Sequence, residues 1–188
     1  TINVCNFILS RTTGDDASLS ESMKRIKGQA LFLRGYSYYT LAGYYQNPAL
    51  ITDYANYSSL DGLYGKNSTY DDVLDQVEKD FAEAMTLLPS RDAGGEWAKG
   101  RATCGAAAGY YARTLMQRHK YSDALVVLKD IMNKKYGSYK LMANYGDNFR
   151  EGSAYENNAE SLFEIQYLDY GSQGVDDEWT PGNTSPNA

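Results

Sequence analysis

The sequence predicts a mainly α fold of stacked, tetratricopeptide-like helix hairpins, with one short β element near residues 160–168. Three observations carry that prediction. Apolar residues recur at steps of three and four over five stretches, the period of a helix with a buried face. Capping patterns open two of these stretches, and a proline follows two of them. Two segments carry hairpin-repeat spacing, Phe81-x2-Ala84-x4-Pro89 and Tyr121-x2-Ala124-x3-Leu128, the latter preceded by Ala108, Ala112 and Leu115. Small residues let two helices approach and large ones fill the gap above, so stacked hairpins with a concave surface follow.

The elements read in order as follows. Residues 1–9 are the end of a helix, and Arg11 to Ser20 is a loop of turn formers. Ser18-x-x-Glu21 has the form of a capping box and opens a long helix to about Tyr45. Its expected apolar stripe is Met23, Ile26, Ala30, Leu33, Ser37, Leu41 and Tyr44, with Leu31, Tyr38 and Tyr45 on a second face. Pro48 stops it. Residues 46–67 lack helical period and form a long loop, a length that points to function or disorder. Ser68-x-x-Asp71 then opens a helix through Val73, Leu74, Val77, Phe81, Ala84 and Leu88. After a loop over 90–100, a small-residue helix spans 101–118. A turn at 119–121 leads to a helix over 122–134, and 160–168 alternates as a strand does. A second long loop covers 169–188.

Composition excludes several function classes. With 188 residues the chain makes one domain, or two small ones, with a sizeable core. A formal net charge of −6 without basic clusters argues against nucleic acid and anionic membrane surfaces. No apolar run reaches the ~18 residues of a membrane span. The single histidine, His119, rules out a two-histidine metal site and leaves little for nucleophilic catalysis; it reads as a neutral ring at a hairpin turn. Cys5 and Cys104 lie far apart in sequence and read as buried free thiols, a bridge requiring an oxidising compartment. The 18 tyrosines stand out, since tyrosine buries a ring while keeping a hydroxyl for hydrogen bonding.

Chemistry-bearing residues have ordinary readings beside functional ones. Arg34, mid-helix among apolar neighbours, reads as a paired arginine tying helices together rather than a ligand contact. Gly105-x-x-x-Gly109 reads as close packing of two helices. Asp71, Asp72, Asp75 and Glu78 suit a helix N-terminus. Asp176-Asp177-Glu178 is the better cation candidate, but no Ca²⁺-loop motif accompanies it, and no metal is expected. No catalytic residue, no cofactor and no hydrolase motif stands out. Loop aromatics do: Tyr54, Tyr57 and Tyr64 in 46–67, Trp97 in a Gly-rich turn, Tyr170 and Trp179 beside Asp176 and Asp177. Sugar C–H faces pack on such rings while hydroxyls pair with carboxylates and amides; otherwise each ring pins its loop to the core.

The segment Gln29-Ala-Leu-Phe-Leu-Arg-Gly-Tyr-Ser-Tyr-Tyr-Thr-Leu41 resembles the central helix motif of the SusD/RagB family. Further matches follow in family order: Asn6 before Ile8-Leu9, Pro48-Ala-Leu-Ile-Thr52, Tyr70-Asp-Asp-Val73 with Asp80-Phe81-x-x-Ala84 and Leu88-Pro89, Gly100-Arg-Ala-Thr103 with Ala106-Ala107, Tyr121-x-x-Ala124, Tyr139-x-Leu141, and Asn158-x-Glu160-Ser-Leu-Phe-Glu-Ile-Gln-Tyr167. Departures are Gln29 for the usual Glu, Gly35 for the usual Ala, and an altered turn at Tyr45-Gln-Asn-Pro48. The resemblance implies a surface-exposed, lipid-anchored outer-membrane protein of Bacteroidota-type bacteria. Such proteins bind glycans, or in some members peptides, and act as a lid on a TonB-dependent, SusC-like transporter; they are not enzymes. The chain would be one partial domain, the tetratricopeptide-like part, without the lipidated cysteine. The motifs are structural and leave ligand identity open. Two other readings remain: a general tetratricopeptide scaffold that binds protein, and, least favoured, a carbohydrate-active enzyme with a carboxylate dyad.

Overall fold

The protein is described here from a computed structural model, which covers residues 1–13, 16–98, 100–150, 152 and 155–165. Six α-helices are present among these residues: α1 (Ile2–Arg11), α2 (Glu21–Tyr45), the single-turn α3 (Leu60–Leu63), α4 (Tyr70–Leu87), α5 (Cys104–Gln117) and α6 (Tyr121–Met132). The long helices pack in a chain: α1 on α2, α2 on α4, α4 on α5 and α5 on α6. This is the hairpin stacking that the periodicity predicts.

The caps sit one or two residues later than the sequence pattern places them. Ser20, not Ser18, caps α2 by accepting from the Met23 N–H at 3.3 Å. Asp16–Ser18 forms a 3₁₀ turn instead, with Asp16 held by Lys27 at 2.8 Å. Thr69, not Ser68, caps α4, accepting from the Asp72 N–H. The Ser68 hydroxyl accepts from the Leu50 N–H at 3.3 Å, and the Ser68 N–H donates to the Pro48 carbonyl at 3.2 Å. The two ends of the 46–67 loop are thereby joined. Inside the loop lie a 3₁₀ turn, Tyr54–Ser58, and α3.

The buried face of α2 differs from the expected stripe. Ile26, Leu33 and Tyr44 are exposed, whereas Gly28, Ala30, Leu31, Phe32, Arg34, Gly35, Tyr38 and Ala42 are buried. The reason is the close approach of α4. A Cβ on Gly28 would sit 2.9 Å from Leu88 side-chain atoms, and one on Gly35 would sit 3.2 Å from Asp80 and Phe81 side chains. The hydropathy pattern finds Ala30, Leu31 and Tyr38, but it gives those glycines and Arg34 no weight, so Ile26, Leu33, Tyr44 and Tyr45 are misplaced. In α4 the predicted stripe is the buried one: Val73, Leu74, Val77, Phe81 and Ala84, with Leu88 just beyond.

The core centres on Phe32, whose ring meets Phe163 at 4.9 Å, Phe81 at 5.7 Å and Tyr110 at 5.8 Å, in tilted or edge-on geometries that suit the ring quadrupoles. Ala108, Ala112 and Leu115 of α5 close on Ala124 and Val127 of α6. The glycines of α5 do not pack against a second helix, as the small-residue spacing suggested. Gly105 receives the Tyr139 ring and Gly109 receives Leu162, both from the chain after α6. The expected β element is not formed over the described residues 160–165, which are irregular; residues 166–168 lie outside the described set. Side chains satisfy peptide groups there that a strand ladder would otherwise take. Arg91 donates to the carbonyls of Asn157, Asn158 and Ser161, and the Asn158 amide oxygen accepts from the Glu160 and Ser161 N–H groups.

Candidate functional site

Arg34 is structural, as the ordinary reading held. It is 7% exposed and its Nε and Nη2 grip both oxygens of Asp80, itself 1% exposed, at 2.8 and 2.7 Å. Two parallel N–H···O bonds are the geometry of a charged pair. Gln76 donates to Asp80 at 2.7 Å. Burial is the largest influence on Asp80 and pushes its carboxyl up from the ordinary value, while Arg34 and Gln76 hold it back. The third guanidinium nitrogen reaches the Asn6 amide oxygen at 2.9 Å and the Thr52 carbonyl at 3.4 Å. Asn6 in turn donates to the Ile51 carbonyl at 2.7 Å. The buried Tyr38 hydroxyl donates to that carbonyl at 2.9 Å and accepts from the Ile51 N–H at 2.7 Å. Burial raises the Tyr38 phenol, so it stays protonated and able to donate. One polar cluster thus joins α1, α2, α4 and the first arm of the 46–67 loop.

Just beyond that anchor the loop presents its aromatics. Asp53 caps the 3₁₀ turn, accepting from the Ala55 N–H at 2.8 Å. Tyr54 packs edge-on against Phe7 of α1 at 5.2 Å and lies 5.9 Å from Tyr57. The Arg11 guanidinium stands over the Phe7 ring at 5.4 Å. Phe7 and Tyr54 remain 42% and 38% exposed. The result is a patch of three rings, Phe7 and Tyr54 exposed and Tyr57 half-buried beside them, with a cation at its edge. Sequence reasoning selected Tyr54 and Tyr57 but missed Phe7 and Arg11. Their i, i+4 spacing puts them on one face of α1, yet nothing local connects them to a loop more than 40 residues away. Tyr64 is 82% exposed and makes no ring contact with this patch.

The other candidates divide. Trp97 is buried, with the guanidiniums of Arg25 and Arg101 over its ring at 5.8 and 5.7 Å; it pins its turn. Asp71 and Asp72 lie in the first turn of α4, whereas Asp75 and Glu78 lie beyond it and pair with Arg118, and Glu78 also with Lys120, tying α4 to the α5–α6 turn. His119 is exposed and bonds the Tyr121 hydroxyl at 2.7 Å. Cys5 and Cys104 are buried and unbridged, and burial raises both thiols. A cleft of about 270 Å³ between α5 and residues 161–163, lined by Gly109, Tyr110, Arg113, Leu162 and Phe163, shares no residue with the patch. Among the described residues no cluster has the makings of a metal site and no helix is long and apolar enough to cross a membrane. Trp179, Tyr170, Asp176 and Asp177 lie outside the described residues.

Residues 1–116 match a family described as SusD-like, starch-binding and associating with the outer membrane. The chain belongs to the SusD-like family. Solved structures agree. A SusD superfamily protein from Bacteroides vulgatus superposes with a TM-score of 0.74 at 26% identity, covering 88% of this chain and 34% of that one. A SusD-like carbohydrate-binding protein from Bacteroides fragilis gives 0.73 at 29%, covering 89% and 31%. Surface glycan-binding protein A from Bacteroides uniformis gives 0.72 at 22%, covering 88% and 36%, a likeness of fold. No curated protein matches significantly. The chain spans about a third of the length of the solved structures it matches. Two departures noted in the SusD-like helix motif have local explanations. Gln29 donates an amide N–H to the Ala102 carbonyl at 2.5 Å, which a carboxylate cannot do, and Gly35 admits the Asp80 and Phe81 side chains.

Proposed function

We propose that this SusD-like chain is part of a glycan-binding protein of the outer-membrane surface, acting by reversible capture and hand-over to a TonB-dependent, SusC-like transporter, without catalysis. The observation that carries the reading is the aromatic patch of exposed Phe7 and Tyr54 with half-buried Tyr57, and Arg11 beside it. Pyranose rings expose C–H faces that lie on aromatic rings, and guanidinium N–H groups donate to hydroxyls. Rings on a loop, held by a helical scaffold, are the usual location of a recognition surface. Tyr64, on the same loop but apart from these rings, is exposed and free to meet ligand or transporter. Trp179 and Tyr170, near Asp176 and Asp177 in the sequence, would offer the same aromatic and carboxylate chemistry to a glycan. The carbohydrate binding named for the Bacteroides fragilis structure supports the ligand class.

The test is affinity electrophoresis of the intact protein against a polysaccharide panel, beside a peptide mixture, with product analysis. Retardation by one glycan class without degradation, lost in Tyr54→Ala and Tyr57→Ala, is expected. Binding to peptides alone changes the nutrient and keeps the family. A folded protein that binds nothing points to a tetratricopeptide scaffold, and a released product overturns the non-catalytic reading.

A further inference from the structure

We propose that Tyr38, Asn6 and Arg34 are positioning residues for the ligand-binding loop: their side chains grip the main chain of Ile51 and Thr52 and so set where Tyr54 and Tyr57 stand. This rests on the reading of the aromatic patch as the binding surface. Three features single these residues out.

The first is the direction of their polar groups. Tyr38 is 1% exposed, and its ring fills the core. Its hydroxyl makes both of its hydrogen bonds to one loop residue, donating to the Ile51 carbonyl and accepting from the Ile51 N–H. Core packing would be served as well by phenylalanine; the oxygen is needed only for the loop. Asn6 adds a second donor to the same carbonyl, so both of its lone pairs are occupied. Arg34 reaches the next carbonyl, Thr52.

The second is distance along the chain. Tyr54 follows Thr52 by two residues, too few for the backbone between them to lose the orientation set at Ile51 and Thr52. Asp53, between them, stiffens that link by capping the turn. The third is that α1 does both jobs in adjacent residues. Asn6 points inward to the anchor while Phe7 points outward to Tyr54. The patch is therefore fixed from beneath by peptide bonding and from the side by ring contact, which reduces the ordering cost of binding.

The test compares Tyr38→Phe with Thr114→Val in the intact protein. Thr114 is equally buried, but its hydroxyl donates within α5, to the Tyr110 carbonyl. Each variant loses a buried hydroxyl, with two hydrogen bonds at Tyr38 and one at Thr114, so urea unfolding of both gives the global stability against which loop exchange is compared. Amide hydrogen exchange and glycan affinity are then read. Tyr38→Phe is expected to speed exchange at Ile51 and across 54–57 and to weaken capture, each on the order of tenfold for two lost hydrogen bonds. Thr114→Val should change neither. Equal loop exchange in the two variants overturns the positioning role, because a general loss of stability would then account for it. Capture lost in Tyr54→Ala but intact in Tyr38→Phe also overturns it while leaving the patch as the binding surface. Capture intact in Tyr54→Ala overturns the patch reading, and the positioning role with it.

Discussion

Removing one partner of the Arg34–Asp80 pair should be far more damaging than removing both. Asp80→Leu leaves a guanidinium with only the Asn6 amide oxygen and the Thr52 carbonyl as acceptors, in a site 7% exposed. Arg34→Met leaves a carboxylate 1% exposed with Gln76 as its one remaining side-chain donor. An uncompensated buried charge of this kind costs about 3–5 kcal/mol, whereas a well-packed apolar replacement of both residues is often nearly neutral. With a urea m-value of about 2 kcal/mol per molar, each single variant moves its midpoint down by about 1.5–2.5 M. The double variant should recover most of that shift. Arg34→Met has a further signature. Without the guanidinium, burial dominates Asp80 and raises its folded pKa further above the unfolded one. The folded state then binds the extra proton, so the variant loses stability as pH rises through that window and regains it on acidification. Urea titrations at acidic and neutral pH, on all four members of the cycle, test this. Single losses below about 1 kcal/mol, or a double variant as unstable as the sum of the two, would refute the argument that the pair is a desolvated, mutually dependent unit.

Three further outcomes are expected. Gly105→Ala should destabilise by about 1–3 kcal/mol, because its Cβ would lie 2.7 Å from Tyr139 ring carbons, and thermal unfolding reads the loss; an unchanged midpoint would mean the ring has room to retreat. Glu160 accepts from the Met142 N–H and from Asn148, which lower its pKa, so its contribution to stability is present above the unfolded pKa and lost as pH falls through the folded one. Glu160→Gln should flatten that acid limb, with the carboxyl titration followed by NMR. Cys5 and Cys104 should resist a thiol reagent in the folded protein and both react on denaturation, since each is buried with a raised pKa; rapid native labelling would contradict their packing.

Much of this architecture is legible from local pattern. Tyr45 as the end of α2, with Pro48 just beyond, and the 73, 74, 77, 81, 84, 88 stripe of α4 follow from period and stop signals. The buried face of α2 is legible only in part, at Ala30, Leu31 and Tyr38, because close approach is written there in Gly28 and Gly35 and in a paired arginine, which hydropathy reads as weak or polar. The cap positions depend on which serine is already engaged elsewhere, as Ser68 is with Leu50. For the site, a loop rich in tyrosine is visible, but its completion is not: Phe7 meets Tyr54, and Arg34 meets Asp80, only once the helices stack. Long-range partners leave no trace at the spacing of one turn.

The grip on Ile51 also has a bearing on how such a surface can be altered. Tyr38 and Asn6 contact the N–H and carbonyl of Ile51, which every residue except proline supplies in the same form. The scaffold recognises the course of the main chain and is indifferent to the side chains it carries. Residues beyond Thr52 can then be exchanged, lengthened or transplanted from another member with the entry point unchanged. A framework that holds a loop by its backbone can present many chemistries from one mounting.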